Sequence, residues 1–504
     1  MTARTIMVQG TASSVGKSIV ATALCRYFRQ AGLDVAPFKS QNMALNAFVT
    51  PDGGEIGRAQ AVQAEAARVV PTVDMNPILL KPEGDSRSQV VVLGKPIGSL
   101  GAVEYHARKP ELRDVVRGAL ARLRASHDLI VIEGAGSPAE INLKDRDLVN
   151  MFVAKIADAP VLLVGDIDRG GVFAAFVGTM ELLEPDERSR VAGFVINKFR
   201  GDVRLLDSGL RFLEERTGVP VLGVLPYVPK LRVADEDSLA LDDRRGRARA
   251  REGELEIAVV RLPRISNYDD FQPLEHEPGV VVRFVERAAD LERADLVVLP
   301  GTKTTCADLA WLRESGLAGA IVARAASGGR VLGVCGGCQM LGRTIEDPDG
   351  VESDLRSAEG LALLPLRVRF GRDKRTAQVR ARAAEVHWLS SDGDVLGYEI
   401  HMGLVERLDG ARGAFALHER NGAPVDDVDG AVSPDGCVVG TMIHGLFENP
   451  HVRRALLAGL RRARGWGELA TTSHVANETD EYDRLAEVVR ANIRTDLLNR
   501  MVGL

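Results

Sequence analysis

Cysteine is scarce in this chain, five in 504 residues. That number is odd and too small for a disulfide framework, so a reducing, cytoplasmic setting is expected. Charge of one sign is also missing: 64 basic residues stand against 70 acidic ones, a net of −6. No nucleic-acid or other polyanionic partner is therefore signalled. No apolar run approaches the ~18 residues a membrane helix needs. A β-branched run begins at residue 5, which leaves no room for a signal peptide. Internal repeats are absent as well. What remains is an ordinary globular composition, 45% hydrophobic and 27% charged, in a chain long enough for two or three domains.

Short β-branched runs alternate with helical stretches along two blocks. In the first they fall at 6–8, 35–38, 129–132, 161–164, 191–196 and 221–224. In the second they fall at 257–260, 280–284, 296–299, 331–334 and 438–442. Alternation of this kind predicts parallel sheets covered by helices on both faces, an α/β fold with two doubly wound domains. The expected boundaries are 1–241 and 255–450, joined by a charged linker at 242–254 and followed by a polar helical extension at 451–504. The linker's arginines also admit a short RNA-binding patch.

The most informative stretch is Gly333-Val334-Cys335-Gly336-Gly337. A strand running into a cysteine flanked by glycines has the composition of a nucleophile elbow, with a helix N-terminus behind it to favour thiolate. The reading implies a covalent thioester. Cys335 and Cys338 also form a C-x-x-C, which admits a redox pair or half a zinc site, but Cys25, Cys306 and Cys437 supply no second pair. A buried structural cysteine is the plainer alternative, and it would not need the glycines.

The second signal opens the chain. Residues 6–9 lead into Gly10-Thr11-Ala12-Ser13-Ser14-Val15-Gly16-Lys17-Ser18 and then an apolar helix. Strand, glycine-rich loop, Gly-Lys-Ser and helix make a phosphate cradle, with Lys17 for the β/γ-phosphates and Ser18 for Mg²⁺. The spacing is one residue longer than the usual pattern. Glu133, followed by Gly134-Ala135-Gly136 at a strand end, is placed to be a second metal ligand. Asp166 to Gly171 and Asn197-Lys198 end two further strands, so three polar clusters share one rim.

These motifs resemble two known modules. Gly10 to Ser18 with Glu133 is similar to the dethiobiotin-synthetase-like P-loop ATPases. Leu299-Pro300-Gly301-Thr302, the Cys335 elbow and Gly440-Thr441-Met442-Ile443-His444 resemble the flavodoxin-like class I glutamine amidotransferases. Their order in one chain is that of the cobalamin-pathway amidases. Lys39 to Asn46, Asp166 to Phe173 and Gly397 to Gly403 resemble the branch of that family that forms cobyric acid. The resemblance implies that ATP, Mg²⁺ and L-glutamine are used to amidate four peripheral carboxylates of a corrinoid, adenosylcobyrinic acid a,c-diamide.

By the same resemblance Cys335 is the nucleophile and His444 its base, with Gly301 and Gly336 offering backbone N–H groups to the oxyanion. Gly10, Thr11, Gly16, Lys17, Ser18 and Asn197 contact the nucleotide, and Ser18 and Glu133 hold the metal, with Asp52 or Glu55 as a third ligand. His444 lacks the Glu two residues on that orients the base in the wider class, so a Cys–His dyad is expected, with His401 as the rival base. Two other readings stay open. One is a sister amidase forming the a,c-diamide itself. The other is a partner-binding switch ATPase with an inactive amidase domain, although such switches carry an extra lysine where Thr11 or Ala12 stands.

Overall fold

The computed structural model describes residues 2–84, 86–229, 231–233, 248–390, 393–408, 410–467 and 478–504. Six strands of the first block form one parallel sheet: β1 (Arg4–Gly10), β2 (Val35–Phe38), β3 (Leu129–Glu133), β4 (Val161–Asp166), β5 (Val191–Phe199) and β6 (Val221–Pro226). Their spatial order is β6-β5-β4-β1-β3-β2. β1 pairs in parallel with both β3 and β4. Successive side chains of a strand point to opposite faces. Ile6 and Val8 accordingly pack with Val20 and Leu24 of helix α1 (Lys17–Gln30), while Met7 joins the core on the other face. Burial on both faces explains why these strands read as unbroken apolar runs.

The second block builds a like sheet from β7 (Leu255–Val260), β8 (Val280–Val285), β9 (Leu296–Leu299), β10 (Arg330–Val334), the short β11 (Ala431–Val432) and β12 (Val438–Thr441). Its order is β8-β7-β9-β10-β12-β11, with only the β11 edge antiparallel. All eleven expected runs thus lie in two doubly wound sheets, the α/β class anticipated from their alternation.

Between β10 and β12 lies a largely antiparallel sheet that the alternation did not announce. Its long strands, Leu366–Ala383 and Val395–Arg407, pair over most of their length. This hairpin docks the two domains. Thr376 donates to Gly53 O at 2.6 Å, and Gln378 donates to Val49 O at 2.5 Å. Tyr398 and Ile400 share a small core with Ala47, Val49, Leu79 and Val91 of the first domain.

The end of the chain is divided between the domains. Helix Pro450–Ala463 buries Val452, Leu456 and Leu460 in the second core. Helices Glu478–Asn492 and Thr495–Met501 return to cover α1, where Tyr27 donates to Asn499 at 3.0 Å and Arg26 meets Asp483 at 2.6 Å. Of the expected linker 242–254, residues 242–247 lie outside the described residues, and 248–254 lead into β7. Among the described residues no helix is long and apolar enough to cross a membrane.

Candidate active site

Cys335 follows β10 directly and takes φ 51°, ψ −112° ahead of helix Gly336–Leu341. A non-glycine residue there is strained, and such strain persists only where surrounding contacts hold it. The contacts are present: Cys335 N donates to Thr441 O at 2.7 Å, tying the elbow to the end of β12. Gly336 is packed so closely that a Cβ on it would lie 2.6 Å from Thr302 Cγ2. A Cβ on Gly301 would lie 3.1 Å from His444 Cε1. The two expected oxyanion glycines therefore border the thiol and the imidazole. Cys338 is fully buried behind the turn, and all five cysteines are free thiols.

His444 lies three residues beyond β12, and its ring is 1% exposed. Its Nδ1 is 2.6 Å from Asp270 Oδ2, and Asp270 Oδ1 accepts from Gly445 N at 2.8 Å. The dyad expected from sequence has a third member, 174 positions away from its base. With Nδ1 engaged, Nε2 is the nitrogen left for sulfur. Tyr398 stacks on the imidazole at 5.3 Å between centroids. Burial alone would lower the ring's pKa, but the facing Asp270 and Cys335 outweigh it and push it up to about 10. At neutral pH His444 thus holds a proton beside the sulfur.

Asp270 escaped sequence reading because nothing in its local spacing pairs it with His444. A signal existed: Asp269 and Asp270 sit between Tyr268 and Phe271, just after β7. Doubly wound sheets gather their chemistry beyond strand ends of this kind. His401, the rival base, lines the same cavity, but its Nδ1 is bonded to the Gly403 carbonyl at 3.0 Å. The cavity also takes Lys81 and Gln89 from the first domain, so the thiol faces the domain boundary.

In the first domain Lys17 donates to Ala12 O at 3.0 Å and Gly136 O at 3.2 Å, spanning the loop. Ser18 Oγ donates to Glu133 Oε1 at 2.9 Å. Glu133 is wholly buried, and it also receives Lys39 at 2.8 Å and Gln63 at 2.5 Å. Asn197 donates to Val15 O at 2.9 Å and buttresses the loop that Gly10, Thr11 and Gly16 shape. Lys198 bridges Ser14 O and Asp166, each at 2.8 Å, so the rim clusters meet.

Comparison with known proteins agrees with this division. Residues 6–241 match the family model described as the CobQ/CobB/MinD/ParA nucleotide binding domain. Residues 256–452 match the CobB/CobQ-like glutamine amidotransferase domain. A cobyric acid synthase of Sorangium cellulosum is 65% identical over 517 residues, spanning 100% of this chain and 99% of its own. The chain belongs to the cobyric acid synthases. Others in the family include those of Dehalococcoides mccartyi, 53% identical with 97% of each chain covered, and Moorella thermoacetica, 51% identical with 100% and 97% covered.

As a cobyric acid synthase the chain is a glutamine amidotransferase joined to a nucleotide-binding domain. One expectation for its metal site changes. Neither Asp52 nor Glu55 sits with Ser18 and Glu133. Glu55 is buried at the domain boundary, paired with Lys81 at 2.8 Å and with Lys374 of the second domain. Two ammonium groups override the burial that would raise its pKa and lower it to about 2. Asp52 accepts from Thr50 in the loop that docks on Thr376. Asp52 lies in the turn of the hairpin formed by Ala47–Val49 and Glu55–Gly57, and Glu55, just after that turn, docks the second domain through Lys374.

Proposed function

We propose that this protein amidates four peripheral carboxylates of adenosylcobyrinic acid a,c-diamide, using ATP and glutamine. The observation that carries the reading is the buried Cys335–His444–Asp270 alignment, whose cavity is walled on one side by the ATPase domain. The Cys335 sulfur attacks the glutamine amide carbon. His444 gives its proton to the departing ammonia, and water then releases glutamate from the thioester. Backbone N–H groups of Gly301 and Gly336 stabilise the oxyanion. This alignment also argues against an inactive amidase domain.

In the other domain a corrinoid carboxylate oxygen attacks the γ-phosphorus and ADP leaves. Ammonia then attacks the acyl carbon of the acyl phosphate and phosphate leaves. Gly10, Thr11 and Gly16 shape the cradle, Lys17 offsets developing charge, and Asn197 contacts the adenine. Ser18 Oγ and Glu133 Oε1 are hard oxygen donors 2.9 Å apart. Among the described residues no group of three or more His, Cys, Asp or Glu is arranged to hold a metal ion. That donor set suits Mg²⁺, which keeps waters and takes phosphate oxygens rather than a full protein cage. Ser18 and Glu133 would hold it, and it would neutralise charge on the phosphoryl oxygens.

The test is mass spectrometry of product after incubation with the a,c-diamide, ATP, Mg²⁺ and glutamine. A shift of four amide conversions is expected, and no shift overturns the reading. Running cobyrinic acid in parallel separates this activity from that of a sister amidase.

A further inference from the structure

Helix Arg58–Ala67 is buried along almost its whole length, yet Arg58, Gln60 and Gln63 are among its buried residues. A buried guanidinium persists only where anions and hydrogen bonds replace its water. The two carboxylates ion-paired with Arg58 both belong to the amidotransferase domain, while Glu65 of its own helix adds to the negative field without pairing. Its Nη2 lies 2.7 Å from Glu448 Oε1, and its Nε lies 3.1 Å from Asp269 Oδ2. The guanidinium also stands 5.6 Å above the Phe48 ring.

Those anions occupy particular places. Asp269 immediately precedes Asp270, and Glu448 follows His444 by four residues. They sit on two single-turn helices, Tyr268–Phe271, which carries the acid Asp270, and Leu446–Glu448, which starts two residues after the base; the two touch through Phe271 and Phe447. Arg58 bridges the two turns from the other domain. Its helix is anchored in turn, because Gln63 donates to Glu133 of the P-loop site. A second link runs alongside: Asn267 bonds the Ala47 backbone and donates to Tyr398 Oη at 2.9 Å, and Tyr398 stacks on His444. The setting needs a cation, since burial and the neighbouring carboxylates raise the pKa of Asp269 to about 7 even with Arg58 beside it.

We propose that Arg58 is a positioning residue for glutamine hydrolysis, acting across the domain boundary through Asp269 and Glu448 to hold Asp270 and His444 in line with Cys335. The proposal rests on the assignment of Cys335 and His444 as the hydrolysing pair. A residue that only glued the domains would, when lost, weaken both half-reactions alike. A positioning residue instead lowers kcat of one half-reaction and spares the binding of its substrate.

The experiment uses the full chain. Arg58→Met is expected to lower kcat for glutamine hydrolysis about 10- to 100-fold, the scale of a small misplacement of catalytic groups. KM for glutamine should stay within about twofold, and amidation driven by ammonium chloride within about threefold. Arg58→Lys keeps the charge but cannot fork between two carboxylates, so it should recover part of kcat. Glu448→Gln alters a side chain that is 42% exposed, so it tests the same bridge if Arg58→Met does not fold. It should lower kcat about threefold at unchanged KM. Unchanged kcat in the folded variants, or an equal loss of ammonium-driven amidation in Glu448→Gln, overturns the proposal. A wild-type chain that hydrolyses no glutamine, or a Cys335→Ser chain that does, overturns the underlying assignment instead.

Discussion

Both chemical centres stand beyond the C-terminal ends of parallel strands, but they are assembled differently. Around Glu133 every partner comes from the same domain: Ser18, Lys39 and Gln63. Around His444 the acid comes from beyond another strand, and the outer support comes from another domain. The difference follows from the chemistry. A phosphate cradle is mostly backbone shape, which nine consecutive residues can specify. A thiol–imidazole pair needs its proton affinities set by neighbouring charges, and those come from wherever the fold delivers them.

The sharpest way to break the comparison is to disable each centre and supply ammonia. Cys335→Ala should lower glutamine-dependent amidation on the order of 10⁴-fold or more, while amidation from free ammonium survives. Lys17→Ala should abolish amidation from either nitrogen source, as seen by product mass. Retained turnover with ammonium would refute its role. Next in size is Asp270→Asn, which keeps the shape but loses the charge behind His444. Glutamine hydrolysis should fall roughly 10²–10⁴-fold. The pH profile carries the sign: His444 acts as an acid only while protonated, so the wild-type rate should decline as pH rises through about 10. In Asp270→Asn that alkaline limb should move down toward the ordinary imidazole range. A limb that stays in place would remove Asp270 from the site.

A smaller effect is expected at the boundary between the centres. Glu55 has its folded pKa lowered to about 2 from an ordinary 4.5. Its contribution is therefore present above the unfolded value and is lost as pH falls from about 5 toward 2. The shift corresponds to about 3 kcal/mol. Burial lowers the pKa of the partner Lys374 to about 8. The two directions agree physically, because one buried carboxylate is shared by two ammonium groups. Denaturant unfolding should show the gap between wild type and Glu55→Gln narrowing across that range, and a constant gap would contradict it. The smallest effect belongs to Cys338→Ala, which should change glutamine turnover by less than about twofold. A large loss would reopen a redox role for the C-x-x-C.

The readable parts were those in which chemistry and backbone coincide locally. The eleven strands were legible because burial on both faces makes apolar runs. The elbow and the P-loop were legible because their glycines permit shapes that other residues resist. The antiparallel hairpin was not: Leu366–Ala383 alternates buried and exposed residues amid many charges, and part of the surface it docks on lies in the other domain. Glu55 shows the same failure in miniature. An acid after a second strand suits a metal site by position, but folding turns it toward Lys374.

By itself the sequence determined the two doubly wound modules, the thiol at Cys335, the cradle at Gly10 to Ser18 and the family to which they belong. Each is written in neighbouring residues, where sterics and hydrogen bonding act over a few bonds. Only the tertiary structure decided what surrounds His444. Electrostatic and stacking partners act through space, so Asp270 and Tyr398 reach the base, and Arg58 reaches the turns beside it, from three distant segments that no spacing along the chain connects.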